Sequence, residues 1–224
     1  MRRYKRFFAD VETRDGRTLT VHCPDPGSMR GFLRPGAAVR CSTSDDPRRR
    51  LRHSLEMMRA GRIWVSLHPA RANAVVDLAL AAGVPRGLAG YATREREVAP
   101  DRGSKSRLDF RLSGAVRDPR PAWLEVKSVT LAEGATARFP DSVTERGRRH
   151  VETLAALRER GARAALLFLV QRADCDRVAP ADDVDPAYGE ALRRAAARGV
   201  ELFALGARVT ARGIAVEREL PVCL

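Results

Sequence analysis

The sequence has no hydrophobic run long enough to cross a membrane. No stretch of its 224 residues approaches the roughly 18 consecutive apolar residues that a membrane span needs. The opening MRRYKRFFAD contains no apolar stretch typical of a signal peptide. We therefore expect a cytoplasmic protein with no membrane partner.

Cysteines are few and widely scattered, at positions 23, 41, 175 and 223. They form no CxxC pair and have no His pair at metal-ligand spacing, which argues against a zinc knuckle. In a reducing compartment, buried free thiols are favoured over two disulfides. Walker, GxGxxG and GxSxG motifs are also missing, so nucleotide hydrolysis and serine esterase chemistry have no support. We expect no organic cofactor.

Lysine is nearly absent, at positions 5, 105 and 127 alone, yet the formal net charge is +13 because arginine is abundant. Such a charge favours a polyanionic partner, since cations that neutralise phosphates release counterions. A GC-rich coding sequence would also enrich Arg and Ala without any selection for binding. The share of hydrophobic residues, 44%, is that of an ordinary globular protein.

Two parts of the chain differ in pattern, and we predict domains at 1–67 and 68–224. The first part has short strand-like runs between turns, typical of a small barrel or sandwich; they are YKRFFADVE, RTLTVHC, AAVRCSTS and RIWVSL. It contains fifteen Arg or Lys and seven Asp or Glu, a net charge of about +8. In the second part, helical and strand-like runs alternate from ARANAVVDLALAAG to IAVEREL. This order predicts an α/β fold with parallel crossovers.

Two strand-like runs of the second part carry polar residues that we expect to converge. In SRLDFRL, alternation places Asp109 on the polar face, and in AWLEVKSV it places Glu125 and Lys127 on one face. The turn-rich SGAVRDPRP between them would form a hairpin and bring Asp109 beside Glu125.

Paired carboxylates suit Mg²⁺ or Mn²⁺, which take one or two carboxylates together with substrate phosphate. The ion would polarise the phosphoryl oxygen, and Lys127 would stabilise charge in the transition state. A solvated ion pair at a strand rim is the alternative interpretation of the E-x-K pattern.

Other basic segments are weaker candidates. In the helix that opens TERGRRH, Arg146 and His150 share a face and would hold a phosphate at the helix N-terminus, or would simply form a charged surface. The opening RRYKRFF would act as a stacking groove for nucleic acid, unless its aromatic residues belong to the core; its candidate residues are Arg3, Tyr4, Lys5, Arg6 and Phe7. Arg48, Arg49 and Arg50 form a candidate phosphate clamp or a solvated loop.

Taken together, the segments YKRFFADVETRDGRTLTVHCPDPGSM, SRLDF, WLEVKSVTLAE and FPDSVTERGRRHVETL resemble the sugar fermentation stimulation protein A family over almost the whole chain. The resemblance implies an N-terminal OB-like β-barrel followed by a PD-(D/E)xK nuclease-like α/β domain. It also implies non-specific DNA binding and a regulatory link to maltose metabolism. In that pattern Asp109, Glu125 and Lys127 fall on the nuclease-type positions; further candidates for the site are Glu97, Asp77, Glu145, Arg146 and His150.

Two departures from the family pattern concern acidic residues. The family helix reads N-R-L-x-x-E, whereas this chain has Leu78 at the Glu position, with Asp77 about 100° away around the helix. Asp25 stands in the PDPG turn where the family has Asn, and it still favours a turn.

Three hypotheses follow for the function. The first is a regulatory, non-specific DNA-binding protein with a nuclease-like site. The second is an active Mg²⁺- or Mn²⁺-dependent endonuclease, and it is compatible with the first. The third is an interaction module for a protein or a metabolite, in which the basic charge is compositional. The sequence indicates no oligomeric state.

Overall fold

The computed structural model describes residues 1–29, 33–101, 106–116 and 118–224. Its first part is a six-stranded curled sheet around a small core that includes Val21, Leu55 and Met58. The strand order is β1-β2-β3-β5-β4, and β6 pairs with β5. These strands are β1 (Arg2–Tyr4), β2 (Phe8–Glu12), β3 (Thr18–His22), β4 (Val39–Thr43), β5 (His53–Ala60) and β6 (Ile63–Ser66).

Two sequence-based predictions for this part were wrong. YKRFFADVE is not one strand, because Lys5 and Arg6 have left-handed φ angles of 46° and 64° and turn the chain between β1 and β2. The longest strand of the sheet, β5, was missed, since HSLEMMRA mixes charged and apolar residues without strict alternation.

The second part is a layered α/β structure around a six-stranded sheet of order β15-β14-β12-β9-β8-β7. Its strands are β7 (Thr93–Val98), β8 (Leu108–Ser113), β9 (Ala122–Val129), β12 (Arg163–Val170), β14 (Glu201–Thr210) and β15 (Gly213–Leu220). The central strands β9, β12 and β14 are parallel, as the α/β order predicted. β12 reads RAALLFLV and is buried on both faces, which suits a central parallel strand.

Helices cover both faces of this sheet. Helix α1 (Arg71–Ala81) packs on one face through Val76 and Leu80. Helices α2 (Glu145–Glu159) and α3 (Pro186–Ala197) pack on the other face, around Leu154 and Leu192. A three-stranded sheet lies beside them and comprises β10 (Ala132–Glu133), β11 (Thr136–Phe139) and β13 (Arg177–Pro180). A 3₁₀ turn at Arg86–Leu88 follows α1.

The state of the cysteines and the length of the helices bear on two expectations from the sequence. All four thiols are free, but only Cys23 and Cys175 are buried, so the expectation of burial was wrong for Cys41 and Cys223. In the described ranges, every helix is too short or too polar to cross a bilayer.

The PDPG turn of the barrel docks on the loop that precedes α2. The Ser28 hydroxyl donates to the Asp141 backbone carbonyl at 2.6 Å, and the Met29 amide donates to the Asp141 carboxylate at 3.4 Å. A Cβ on Gly27 would lie 2.1 Å from Asp141 Oδ2, so only glycine permits this approach. Arg3 holds the turn by donating to the carbonyls of Asp25 and Gly27, at 2.7 and 2.6 Å. The two parts of the chain are therefore joined at a close contact.

Asp25 is buried in that turn, and its burial, reinforced by the negative charge of Asp141, raises its pKa to about 6. A raised carboxyl pKa means that the folded chain binds the proton more tightly than the unfolded chain, so stability falls as pH rises between about 4 and 6.

We expect Asp25→Asn to remove this loss, because an amide oxygen can still accept from the Gly27 amide and carries no charge. In urea unfolding, the variant should gain up to about 3 kcal/mol over wild type near pH 8 and almost nothing near pH 4. Asp45→Asn is the control, since the Asp45 side chain is 92% exposed. A gain of equal size at both pH values would contradict the raised pKa.

Candidate functional site

The β8–β9 hairpin brings two carboxylates together at the centre of the second part. Phe110 pairs with Leu124, and the same antiparallel register places Asp109 opposite Glu125. Asp109 Oδ2 accepts a hydrogen bond from the Val126 amide at 2.7 Å, which ties the carboxylate to the neighbouring strand. Asp109 and Glu125 therefore lie side by side on one face of the sheet.

Asp109 is held by a residue of helix α1 as well. Asn73 Nδ2 donates to Asp109 Oδ1 at 2.7 Å. Burial, reinforced by the negative charge of Glu125, raises the pKa of Asp109 to about 6, although the hydrogen bonds from Val126 and Asn73 and the positive charge of Lys127 act to lower it. Among the described residues, Asp109 therefore makes no hydrogen bond or ion pair with a cationic side chain.

Glu125 is 4% exposed and shares one oxygen between two neighbours. Its Oε1 accepts from Lys127 Nζ at 2.7 Å and also contacts His150 Nδ1. Burial alone would raise the pKa of Glu125, but the His150 hydrogen bond and the Lys127 charge outweigh it and lower the pKa. The second oxygen, Oε2, is buried and has no hydrogen-bond partner among the described residues.

Helix α2 positions His150 against Glu125. The helix begins at a cap where the Thr144 hydroxyl accepts from the Gly147 amide at 3.0 Å. A Cβ on Gly147 would lie 2.8 Å from Thr144 and 3.3 Å from the ring of Tyr188, so glycine allows the helix to approach α3. The Tyr188 hydroxyl is fully buried, and in the described part of the chain no group accepts a hydrogen bond from it or donates one to it. Glu125 Oε2 and the Tyr188 hydroxyl are therefore both buried without a hydrogen-bond partner among the described residues.

Of the further candidates, His150 reaches the carboxylate pair, so the expectation of a charged helix surface was wrong for this residue. Glu145 and Arg146 are exposed in the first turn of α2. Glu97 is exposed on β7 with a left-handed φ of 53°, at the register position opposite Asp109. Asp77 forms an ion pair with Arg94 at 2.8 Å.

Helix α1 contributes Asn73, which sequence reasoning did not assign to the site. Leu78, at the position where the family pattern places Glu, is 74% exposed and faces away from Asp109. Asn73 and Asp77 are four residues apart and share a face, whereas Leu78 does not. The Asn that opens the family's N-R-L-x-x-E pattern falls on Asn73, and this match could have indicated that Asn73 belongs to the site.

Several of the barrel residues predicted to bind nucleic acid form hydrogen bonds or ion pairs within the barrel. Arg3 is used by the PDPG turn, Arg48 pairs with Asp46 at 3.0 Å, and Arg49 donates to Ser54 at 2.6 Å. The remaining groups form an aromatic and cationic surface: Tyr4 stacks on Phe8, Arg50 lies over Phe8, Phe7 stacks on His22, and Arg6 lies over Phe7. Lys5 is exposed in the same hairpin turn.

No group of three His, Cys, Asp or Glu side chains converges anywhere in the residues that the structure describes. The site is a pair of carboxylates with one lysine. Mg²⁺ commonly takes only one or two protein carboxylates and completes its shell with waters and substrate phosphate.

Comparisons with known proteins agree over the full chain. A family model described as "SfsA N-terminal OB domain" matches residues 1–67, and one described as "Sugar fermentation stimulation protein RE domain" matches residues 70–213. A sugar fermentation stimulation protein homolog of Pseudomonas entomophila is 47% identical over 228 residues, with 100% of this chain and 94% of the relative covered. Its counterpart in Geobacter sulfurreducens is 44% identical, with 99% and 93% covered.

A solved structure is also similar: Pyrococcus furiosus SfsA in complex with Ca²⁺. It is 26% identical, with a TM-score of 0.87, and the match covers 100% of this chain and 94% of that one. The expected α/β fold class with an N-terminal OB domain is confirmed by these comparisons.

We expect Asn73→Ala to destabilise the protein, because it leaves a carboxylate oxygen of the half-buried Asp109 without its donor. Urea unfolding near pH 8 should show a loss of about 1 to 3 kcal/mol. Asp77→Ala is the matched control on the same helix face, and breaking its half-exposed ion pair should cost less than about 1 kcal/mol. If both variants lost the same free energy of unfolding, the Asn73–Asp109 hydrogen bond would stabilise the protein no more than a half-exposed ion pair does.

Proposed function

The chain belongs to the sugar fermentation stimulation protein family, and from this premise we propose that it binds DNA without sequence specificity and hydrolyses its phosphodiester bonds at Asp109, Glu125 and Lys127 with Mg²⁺ or Mn²⁺. The observation that carries the proposal is the pairing of a half-buried carboxylate, Asp109, whose pKa is raised, with a buried one, Glu125, which has an oxygen without a partner among the described residues. Buried carboxylates are costly unless a cation compensates them.

The residues present fit a divalent cation. Carboxylate oxygens are hard ligands suited to Mg²⁺, Mn²⁺ and Ca²⁺. Asp109 and Glu125 would hold the ion, since the described residues give Asp109 only neutral hydrogen-bond donors and leave Glu125 Oε2 without a donor. The similar Pyrococcus furiosus SfsA was solved in complex with Ca²⁺, which supports the binding of a divalent cation. When bound, the ion would supply Lewis-acid polarisation of a phosphoryl oxygen.

The chain's own groups prepare this site for a phosphate. The Val126 amide and Asn73 fix Asp109, so its carboxylate does not reorganise during the reaction. His150 contacts the same Glu125 oxygen as Lys127, so Glu125 keeps a partner when Lys127 turns to a nearby phosphate. A cation at that place stabilises the negative charge that develops in the transition state.

DNA binding is the first step of this proposal and does not depend on cleavage. The aromatic and cationic surface of the barrel, with Lys5, Arg6, Phe7 and Arg50, has the composition of a nucleic-acid platform. Binding alone would serve the regulatory role in sugar metabolism that the family resemblance implies.

We expect binding to duplex DNA to weaken with salt, with a slope of log K against log salt of about −0.9 for each neutralised phosphate. Arg50→Ala should make the slope shallower by about one unit. Arg198→Ala is the control, because Arg198 lies at the end of α3 and pairs with Glu159 at 3.3 Å. A flat salt response of the wild type would contradict phosphate-driven binding.

We expect the full chain to nick plasmid DNA in the presence of Mn²⁺. Lys127→Ala should slow nicking by at least about a hundredfold, because it removes a charge from the transition state. Arg198→Ala, which removes one exposed cation at the end of α3, should nick like wild type. Equal nicking by wild type and Lys127→Ala would remove Lys127 from the mechanism.

A further inference from the structure

A cavity of about 490 Å³ opens beside Lys127, between the barrel and the second part of the chain. The barrel contributes Arg6 and the PDPG turn, and the second part contributes Lys127, the loop 139–143 and Arg146. Its volume lies within the range of roughly 300 to 1,000 Å³ that is typical of small-ligand sites. Lys127 therefore connects the carboxylate pair with a cavity that both parts build.

The walls of the cavity combine apolar surface with charged groups, namely four cationic side chains and the carboxyl groups of Asp25 and Asp141. Pro26, Leu131, Phe139 and Pro140 offer apolar surface on which a planar base can pack. Cationic groups stand at the same cavity; they are Arg6, Lys127, Arg138 and Arg146. Arg138 is already paired with Glu133 and Asp183.

Arg146 points to an anion more directly. It lies in the first turn of α2, where the helix dipole disfavours a cation. Glu145 in the same turn offsets part of this cost, but among the described residues Arg146 has no ion-pair partner of its own. A phosphate in the cavity would face Arg146, Lys127 and the positive end of the helix together.

The cavity also adjoins the aromatic surface of the barrel. A second cavity includes Arg3, Tyr4 and Leu33, and it shares Arg6, Pro26, Gly27, Ser142 and Val143 with the first. Tyr4 in turn stacks on Phe8, with ring centroids 5.8 Å apart. A strand whose bases stack on Tyr4 and Phe8 would thus continue past the PDPG turn toward Lys127.

We infer that the cavity beside Lys127 binds one unpaired nucleotide, so that the substrate is single-stranded DNA or a duplex with an unpaired segment. A double helix is too wide to enter a cavity of this size, whereas enzymes that act on single nucleotides hold them in such pockets. The inference rests on the proposed function and adds the strand state of the substrate. It also gives the barrel a direct part in the site, since the PDPG turn forms one wall.

The test uses fluorescence anisotropy with the full chain in EDTA, so that no probe is cleaved. The probes are an oligo-dT strand and a blunt duplex of the same length. Val143→Trp fills the mouth of the cavity, and it should fold because Val143 is 74% exposed. Arg146→Ala removes the unpaired cation, and Arg149→Ala removes an exposed cation of the same helix outside the cavity.

We expect Val143→Trp and Arg146→Ala each to weaken oligo-dT binding by roughly tenfold, the scale of one stacked base or one phosphate contact. Duplex binding should change by less than about twofold, and Arg149→Ala should change neither probe beyond that. With Mn²⁺, wild type should cut a single-stranded circle faster than a relaxed, covalently closed duplex circle.

Equal effects of both variants on the two probes, or faster cutting of the closed duplex circle, would overturn the inference and leave DNA binding in place. Failure of wild type to bind either probe would instead remove the proposed function itself.

Discussion

The buried carboxylate of Glu125 is the interaction on which the rest of the site depends. A carboxylate at 4% exposure is stable only when cations and donors surround it. Lys127 comes from the same strand, but His150 must arrive from α2, so the Thr144 cap and Gly147 are needed to set that helix in place. The buried charge of Glu125 therefore requires that strand β9 and helix α2 lie together, with α2 packed close to Tyr188.

The same demand explains the unequal behaviour of the two carboxylates. Glu125 contacts Lys127 and His150, and its pKa is lowered, whereas among the described residues Asp109 accepts hydrogen bonds only from neutral donors, and its pKa rises to about 6. Asp109 and Glu125 would hold a divalent ion, which would compensate their negative charge. The barrel is part of this arrangement, because the contact of Ser28 with Asp141 lies just before the α2 cap.

Much of this arrangement could be predicted from the sequence, because it follows from local alternation. Strand periodicity placed Glu125 and Lys127 on one face, and the turn-rich connection suggested the hairpin that brings Asp109 to them. The family resemblance supplied the order of the two folds. The Asn73–Asp109 bond and the burial of His150 could not be read in this way, because each depends on a tertiary contact between distant elements. The hairpin at Lys5 and Arg6 was missed because charged residues in left-handed conformations give no pattern that differs from an edge strand.

The proposed function requires that Asp109 and Glu125 together hold a divalent cation. Calorimetric titration of Mn²⁺ into the wild type and into Asp109→Asn tests it most directly, with urea unfolding used to verify that both are folded. We expect saturable uptake by the wild type and its loss in Asp109→Asn, since the neutral amide is a much poorer ligand. Undiminished uptake by the folded Asp109→Asn variant would contradict it.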